Sequence, residues 1–266
     1  MKELITLLRQ KKPLVHHITN EVTISECANV TLNIGALPVM AHAREEVSEM
    51  VAAAGALVLN IGTLTPQQVE AMLIAGKAAN QKGISVVLDP VGAGATKLRT
   101  QSARRLLNEL DVAVIKGNGA EISILAGREG KIRGVESLDS GQNLEEVAAA
   151  FARQHNTVVV VSGKEDIVTD GKRLAYIKNG HSLMGQVVGT GCMLASVIGS
   201  FLGVEKDFYE AAKYAVLSFC IAGELAAERE NVYGPGTYKA AFFDTLSLLD
   251  DEKVKTMSVY EEKEVL

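Results

Sequence analysis

The chain has no tryptophan, and its 266 residues include only six phenylalanines, six tyrosines, five prolines and three cysteines. Each shortage excludes something. Cys27, Cys192 and Cys220 are odd in number and have no C-x-x-C spacing, which argues against a disulfide framework and a structural zinc site and for reduced thiols. Cys27 and Cys220 lie in apolar helical stretches and read as small buried hydrophobes. No apolar run approaches the roughly 20 residues of a membrane span. The opening MKELITLLRQKKP has charge on both sides of a short apolar patch, so it reads as a first helix and not as a targeting segment. Lysine and arginine are dispersed under a net charge of -5, leaving no basic stripe for a phosphate backbone or anionic lipid. Neither nucleic acid nor membrane is expected as a partner, and a cytoplasmic location is. Repeats, low-complexity tracts and Pro-rich or Ser-rich linkers are missing too, and the most polar stretch, Arg128 to Asn143, reads as a surface loop. Residues 1–266 are therefore expected to form a single domain.

Aliphatic residues are plentiful, and their arrangement is regular. The runs 56-ALVLNIG-62, 84-ISVVLDP-90, 111-DVAVIKG-117 and 157-TVVVVSG-163 are β-branched, nearly continuous in apolar residues, and each is followed by a helical pattern. This is the signature of βαβ units whose parallel strands are covered by helices on both faces. Between the first two runs, Thr65 as N-cap, Pro66 at the first helical position and Gly83 past the end bound one helix. Asp170-Gly171 and Asn179-Gly180 are two-residue steps typical of hairpins and predict an antiparallel edge over 166–181. Helix is expected from Gly189 to about Ala227 with a break at Gly203 to Asp207, and from Thr237 towards Asp250, making the end of the chain mainly helical.

Ligands of open parallel sheets sit outside the carboxyl ends of the strands, so polar residues just after apolar strands are site candidates. In 86-VVLDPVGAGAT-96, Asp89 can hold Mg²⁺, or it can cap the next helix. In 114-VIKGNGAEI-122, Lys116, Asn118 and Glu121 fall within six positions. Lys116 offers a point charge to phosphate oxygens and Glu121 a carboxylate one helical turn past Asn118, although a solvated loop would use the same residues. In 186-QVVGTGCMLASVIGSF-201, Gly189, Thr190, Gly191 and Cys192 open a long apolar helix, whose first N–H groups lack intrahelical partners and attract anions. Cys192 there is either a proton acceptor or a pocket wall. In 13-PLVHHITNEV-22, Asn20 or Thr19 is the expected N-cap of the following helix. His16 and His17 face opposite ways on a strand, so they cannot share a metal, and at least one is expected to be a buried structural histidine.

Taken in order, PLVHHITNEV, LPVMAHAREEV, GALVLNIGTL, LDPVGAGATKLR, IKGNGAEI, VSGKEDIVTDG and VGTGCMLASV resemble the hydroxyethylthiazole kinase family from near residue 10 to beyond residue 200. The resemblance implies a ribokinase-like α/β fold, with a mostly parallel sheet flanked by helices and a short antiparallel edge. It implies phosphorylation of 4-methyl-5-(2-hydroxyethyl)thiazole by ATP and Mg²⁺ for thiamine biosynthesis, in a homotrimer with active sites at subunit interfaces. Residue by residue it implies a thiazole pocket at Asn20, Val22, Met40 and Gly189, nucleotide contacts at Lys116, Asn118 and Ser162, and metal contacts at Asp89 and Glu121. The catalytic turn is Thr190, Gly191 and Cys192. Lys116 stands where the family usually has Arg, which keeps the charge and gives up a bidentate fork. Other ribokinase-like vitamin or sugar kinases share the nucleotide-side segments. A cysteine-nucleophile hydrolase would use Cys192 but leaves Asp89 and Glu121 unexplained, and a non-catalytic sensor would bind ligand without releasing ADP.

Overall fold

A computed structural model describes residues 2–127 and 144–265; the loop expected at Arg128 to Asn143 lies outside the described residues. Its strands are β1 (Leu14–Ile18), β2 (Leu37–Met40), β3 (Ala56–Asn60), β4 (Ser85–Asp89), β5 (Val114–Asn118), β6 (Val158–Ser162), β7 (Asp166–Thr169), β8 (Arg173–Ile177) and β9 (Tyr260–Glu264). They form one sheet in the order β2-β1-β3-β4-β5-β6-β7-β8-β9. Pairing is parallel from β2 to β6 and antiparallel from β6 to β9. The four apolar runs are therefore adjacent central strands.

The helices are α1 (Leu4–Lys11), α2 (Ile24–Ile34), α3 (Val47–Ala52), α4 (Pro66–Gln81), α5 (Lys97–Glu109), α6 (Gly119–Leu125), α7 (Leu144–His155), α8 (Thr190–Leu202), α9 (Phe208–Ala227), α10 (Pro235–Leu248) and α11 (Asp251–Met257). Alternate strand residues feed two separate cores, as the pleat requires. Val15, Val58, Val87, Val114 and Val160 pack with α1, α2 and α8–α11, while Leu57, Leu59, Leu88, Ile115 and Val161 pack with α3–α7. Helix α8 lies directly on the sheet because Gly199 lets it approach: a Cβ there would sit 2.5 Å from Val58 Cγ2. Overpacking of that kind costs about 1–3 kcal/mol.

The expected punctuation of α4 is present, with Thr65 Oγ1 accepting the Gln68 N–H and Gly83 at φ +67°. Asp170-Gly171 does turn β7 into β8, Gly171 having φ +86°. Other expectations need correction. Asn179-Gly180 is no hairpin, because the chain leaves β8 there into a 3-10 turn at Ser182–Gln186, and the partner of β8 is the C-terminal β9. The end of the chain is thus helix, helix and strand. The last long helix begins at Pro235 and not at Thr237, whose hydroxyl instead accepts the Gly234 N–H. Neither Asn20 nor Thr19 is the N-cap of α2, which starts at Ile24. Asn20 Oδ1 accepts from Thr23 N and Thr23 Oγ1, closing a turn ahead of the helix.

Candidate active site

The carboxyl ends of β1, β3, β4, β5 and β6 are neighbours, and each delivers a polar side chain. Asn60 stands opposite Asp89 in the register and Asn118 opposite Ser162, while Asn20 follows β1. A hydrogen-bonded row results. Asn20 Nδ2 donates to Asn60 Oδ1 (2.9 Å) and towards Cys192 Sγ (3.4 Å), and Asn60 Nδ2 donates to Asp89 Oδ2 (2.9 Å). Lys116 Nζ lies 3.9 Å from the same Asp89 oxygen.

Asp89 is fully buried and its Oδ1 has no partner. Helix α5 is capped by Thr96, which removes the capping alternative for Asp89. Burial pushes its carboxyl up to about 7, against the pull of the Lys116 charge and with help from Glu121. Burial opposes charge on Lys116 as well, but Asp89 and Glu121 hold its ammonium above the ordinary value. Lys116 therefore carries its charge into a buried place beside an under-bonded carboxylate.

Opposite lies the first turn of α8. Gly189 is its N-cap at φ +93°, a left-handed conformation that favours glycine, and a Cβ there would collide with Thr23. The first intrahelical bond runs from Met193 N to Gly189 O (2.8 Å), and Thr190 N makes a long bond back to Val187 O (3.4 Å), so the amides of Gly191 and Cys192 are left to meet an anion. A Cβ on Gly191 would lie 2.8 Å from Lys116 Nζ, which puts the ammonium against this turn. The Thr190 hydroxyl is turned back, 2.7 Å from Met184 O and from Val187 O, so it holds the turn and is not offered to a ligand. The Cys192 thiol is raised above its usual pKa, first by burial and then by the nearby Asp89 charge, against the lowering pull of Thr23, Lys116 and Asn60. Ser162, Thr190 and Gly191 line a cavity of about 640 Å³ together with Asp166 and His181.

Glu121 forms a capping box with Asn118: its Oε2 accepts Asn118 N (2.8 Å) while Asn118 Oδ1 accepts Glu121 N (2.9 Å). Its Oε1 accepts Gly92 N (2.8 Å), which fastens the loop after β4 to α6. Val22 lies on the surface, 63 % exposed, and Met40 is half-buried at the end of β2, in register with His17. His16 and His17 are buried, His16 Nε2 against Ala41 O (2.8 Å) and His17 Nδ1 against Val15 O (3.0 Å).

The match extends over nearly the whole chain. The model of the hydroxyethylthiazole kinase family matches residues 5–252. The chain belongs to the hydroxyethylthiazole kinase family. A hydroxyethylthiazole kinase of Thermoanaerobacter pseudethanolicus is 62% identical over 254 residues, 96% of each chain. One of Methanosarcina acetivorans is 50% identical over 263 residues, 99% of this chain and all of that one. The solved structure of a hydroxyethylthiazole kinase protein from Pyrococcus horikoshii superposes with a TM-score of 0.89 at 40% identity, over 98% of this chain and 97% of that one. A pyridoxal kinase from Staphylococcus aureus in complex with ADP shares the fold alone, at a TM-score of 0.63 and 14% identity.

Two residues of this hydroxyethylthiazole kinase family member escaped the sequence reading. Asn60 closes the apolar run ALVLN, so the rule that singled out Asp89 reaches it equally. Arg99 donates to Ile61 O, Val91 O and Gly62 O and so ties the loops after β3 and β4 together. No local pattern announces Arg99, whose partners are all backbone carbonyls.

Proposed function

We propose that this chain transfers the γ-phosphoryl group of ATP to the hydroxyl of 4-methyl-5-(2-hydroxyethyl)thiazole, giving the thiazole phosphate used to build thiamine phosphate. The observation that carries the reading is the seat of Lys116, its Nζ against Gly191 of the anion turn and 3.9 Å from Asp89. Phosphoryl transfer needs positioning and charge neutralisation more than covalent chemistry. A cation, free helix-start amides and a buried carboxylate supply both.

In this reading ATP occupies the cavity beside Ser162 and Asn118, with its phosphates reaching Lys116 and the amides of Gly191 and Cys192. The alcohol lies near Asn20, Val22, Met40 and Gly189. The residues fit Mg²⁺: Asp89 Oδ1 is a buried, unpartnered carboxylate oxygen, and Mg²⁺ takes one or two carboxylates and completes its shell with phosphates and water. Among the described residues no three His, Cys, Asp or Glu cluster around a metal position, which suits a cation held largely by nucleotide. Asp89 is the holding residue, and Glu121, both of whose oxygens already accept backbone N–H groups, contributes more remotely. Bound there, the ion supplies charge neutralisation to the transferring group. Cys192, neutral at pH 7, walls the pocket and offers the alcohol a hydrogen bond.

The whole chain, residues 1–266, acts as one kinase domain in the cytoplasm. It assembles as a homotrimer whose interfaces complete the alcohol pocket, a reading supported by the exposed apolar Val22, two residues from Asn20, and by the exposed Leu32 and Leu37 further along α2 and β2. Among the described residues no helix is long and apolar enough to cross a membrane. ADP release from Mg-ATP, measured with the thiazole alcohol, hydroxymethylpyrimidine, pyridoxal and ribose, tests the reaction. Selective turnover of the thiazole is expected; turnover of another alcohol instead discards the pocket, and silence on all four discards the kinase. Light scattering tests the trimer.

A further inference from the structure

We infer that Asn60 is a two-sided positioning residue, whose carboxamide oxygen fixes the alcohol side of the site through Asn20 while its NH₂ group selects which Asp89 oxygen stays free. Asn60 is buried, 1% exposed, at the end of β3 between the strands that carry Asn20 and Asp89. It touches neither reactant in the arrangement proposed above, on which this inference rests.

Hydrogen-bond polarity makes the role directional. Backbone N–H groups only donate, so each one that meets an amide side chain fixes which end of that side chain faces it. Gly62 N donates to Asn60 Oδ1 at 2.9 Å, which forces Asn60 Nδ2 to face Asp89. Thr23 N donates to Asn20 Oδ1 at 3.0 Å, which forces Asn20 Nδ2 to face Asn60 and Cys192. The sequence of donors therefore runs one way, from the α2 turn through Asn20 and Asn60 to Asp89, with a branch to the Cys192 sulfur. Neither amide can flip without setting a backbone donor against an NH₂ group.

Two consequences follow for the site. Asp89 Oδ2 is occupied by Asn60 and Oδ1 is left without a partner, so a single oxygen of a buried carboxylate is presented. The Asn20 amide is held from both ends, by Thr23 and by Asn60, so its branch to Cys192 is fixed in direction as well. Space is also tight: a Cβ on Gly62 would come within 2.8 Å of the Asn20 side chain, so the loop after β3 presses Asn20 onto Asn60.

The two halves of Asn60 are separable by substitution. Asn60→Ala removes both, and a lost bond to a charged or buried polar partner is worth about tenfold or more. It is expected to raise the KM for the thiazole alcohol about tenfold and lower kcat about tenfold. Asn60→Asp keeps an oxygen for Asn20 and Gly62. Its second oxygen cannot supply the fixed N–H that Asp89 Oδ2 receives from Asn60: it repels the Asp89 charge or shares a proton with it, and either way Asp89 no longer presents one defined, fully charged free oxygen. That variant is expected to hold the alcohol KM within about threefold of the parent while kcat falls at least about tenfold. Steady-state kinetics with thermal melts of the parent and both variants are the test. A purely structural Asn60 would move the melting temperature and leave no difference in how the two variants divide between KM and kcat, and that result overturns the inference. If Asn60→Ala does not fold, the near-isosteric Asn60→Asp decides alone; failure of both to fold assigns Asn60 to the framework and overturns it too. An inactive parent enzyme sinks the proposed reaction and this inference with it, whereas an active parent with unsplit variants sinks the inference only.

Discussion

The polar groups around β8 and β9 and those at the carboxyl ends of β3, β4 and β5 are drawn from the same residue types and satisfied to opposite degrees. At the antiparallel edge, Arg173 makes paired 2.9 Å bonds to Asp207, a 2.8 Å bond to Asp170, and lies 4.2 Å over the Tyr209 ring. Lys213 there bonds both Glu210 (2.9 Å) and Glu262 (3.0 Å), and Glu262 also accepts from Tyr209. At the other place Asp89 has one amide donor, a lysine at 3.9 Å and an idle oxygen, all beneath the surface. Mutually satisfied, partly exposed charges hold a fold together modestly. A buried carboxylate left short of partners is a cost, and in the function proposed above it is where a ligand completes the set.

The sharpest way to break this contrast is Asp89→Asn. Turnover is expected to fall by about 10²–10³, the scale on which an electrostatic stabiliser of a transition state acts. The melting temperature of the ligand-free protein is expected to fall as well, because the buried Lys116 ammonium loses a counter-charge. ADP release and calorimetry read the two effects, and retained activity with a lower melting point would make Asp89 one more framework carboxylate.

Acid separates the regions next. Burial pulls His17 down to about 4 from an ordinary 6.5, so between those values the unfolded chain binds a proton that the native state does not. Stability is then complete above pH 6.5 and is lost as pH falls towards 4, by about 3 kcal/mol from this group. His16 and His42, also lowered mainly by burial, act with the same sign. Asp89, raised, acts oppositely across pH 4–7. At the antiparallel edge Asp207 is lowered by its bond to Arg173, so its contribution is present above pH 3.8 and is lost only below it. Urea unfolding at pH 7 and pH 4.5 should show a smaller pH difference in His17→Gln than in the parent; an equal difference would remove His17 from the account.

Arg173→Ala is expected to lower stability by about 1 kcal/mol, the exposed geometry limiting the worth of its bonds, with kcat unchanged. A change in kcat would connect the two regions. The smallest effect is assigned to Cys192→Ala, which should keep kcat within about tenfold of the parent, since a loose transition state asks little of a base. Loss of all turnover in the folded variant would make the thiol the proton acceptor.

The same contrast explains what was legible in the sequence. Strands β3 to β6 announced themselves because burial on both faces demands continuous apolar runs, and Asp89, Lys116 and the Gly189–Cys192 turn are conspicuous where such runs stop. Strand β9 is YEEKE, without apolar alternation, and it is a strand because β8 offers it hydrogen bonds from about 85 residues away. Asn179-Gly180 has the composition of a hairpin but no second strand following it. Its side chain instead holds Glu224 and Met257 O together. Asn20, expected to cap a helix, closes a turn ahead of it through its Oδ1, while its NH₂ group reaches Asn60, a partner 40 residues away that no local pattern points to. Residues whose role lies in a neighbour's geometry leave no local trace.

The charge of β9 has a meaning for the protein as a particle in a crowded solution. An open sheet ends in two rows of unpaired backbone groups, each a template on which a stranger's strand can grow. One row belongs to β9, where Glu261, Glu262, Lys263 and Glu264 follow in succession; the other belongs to β2, only four residues long and interrupted by Pro38. Were the chain clipped after Ser258, the bared border would be β8, whose Leu174, Ala175 and Ile177 carry no such guard. The last strand is then a stopper against fibrous or edge-to-edge aggregation as much as a part of the sheet.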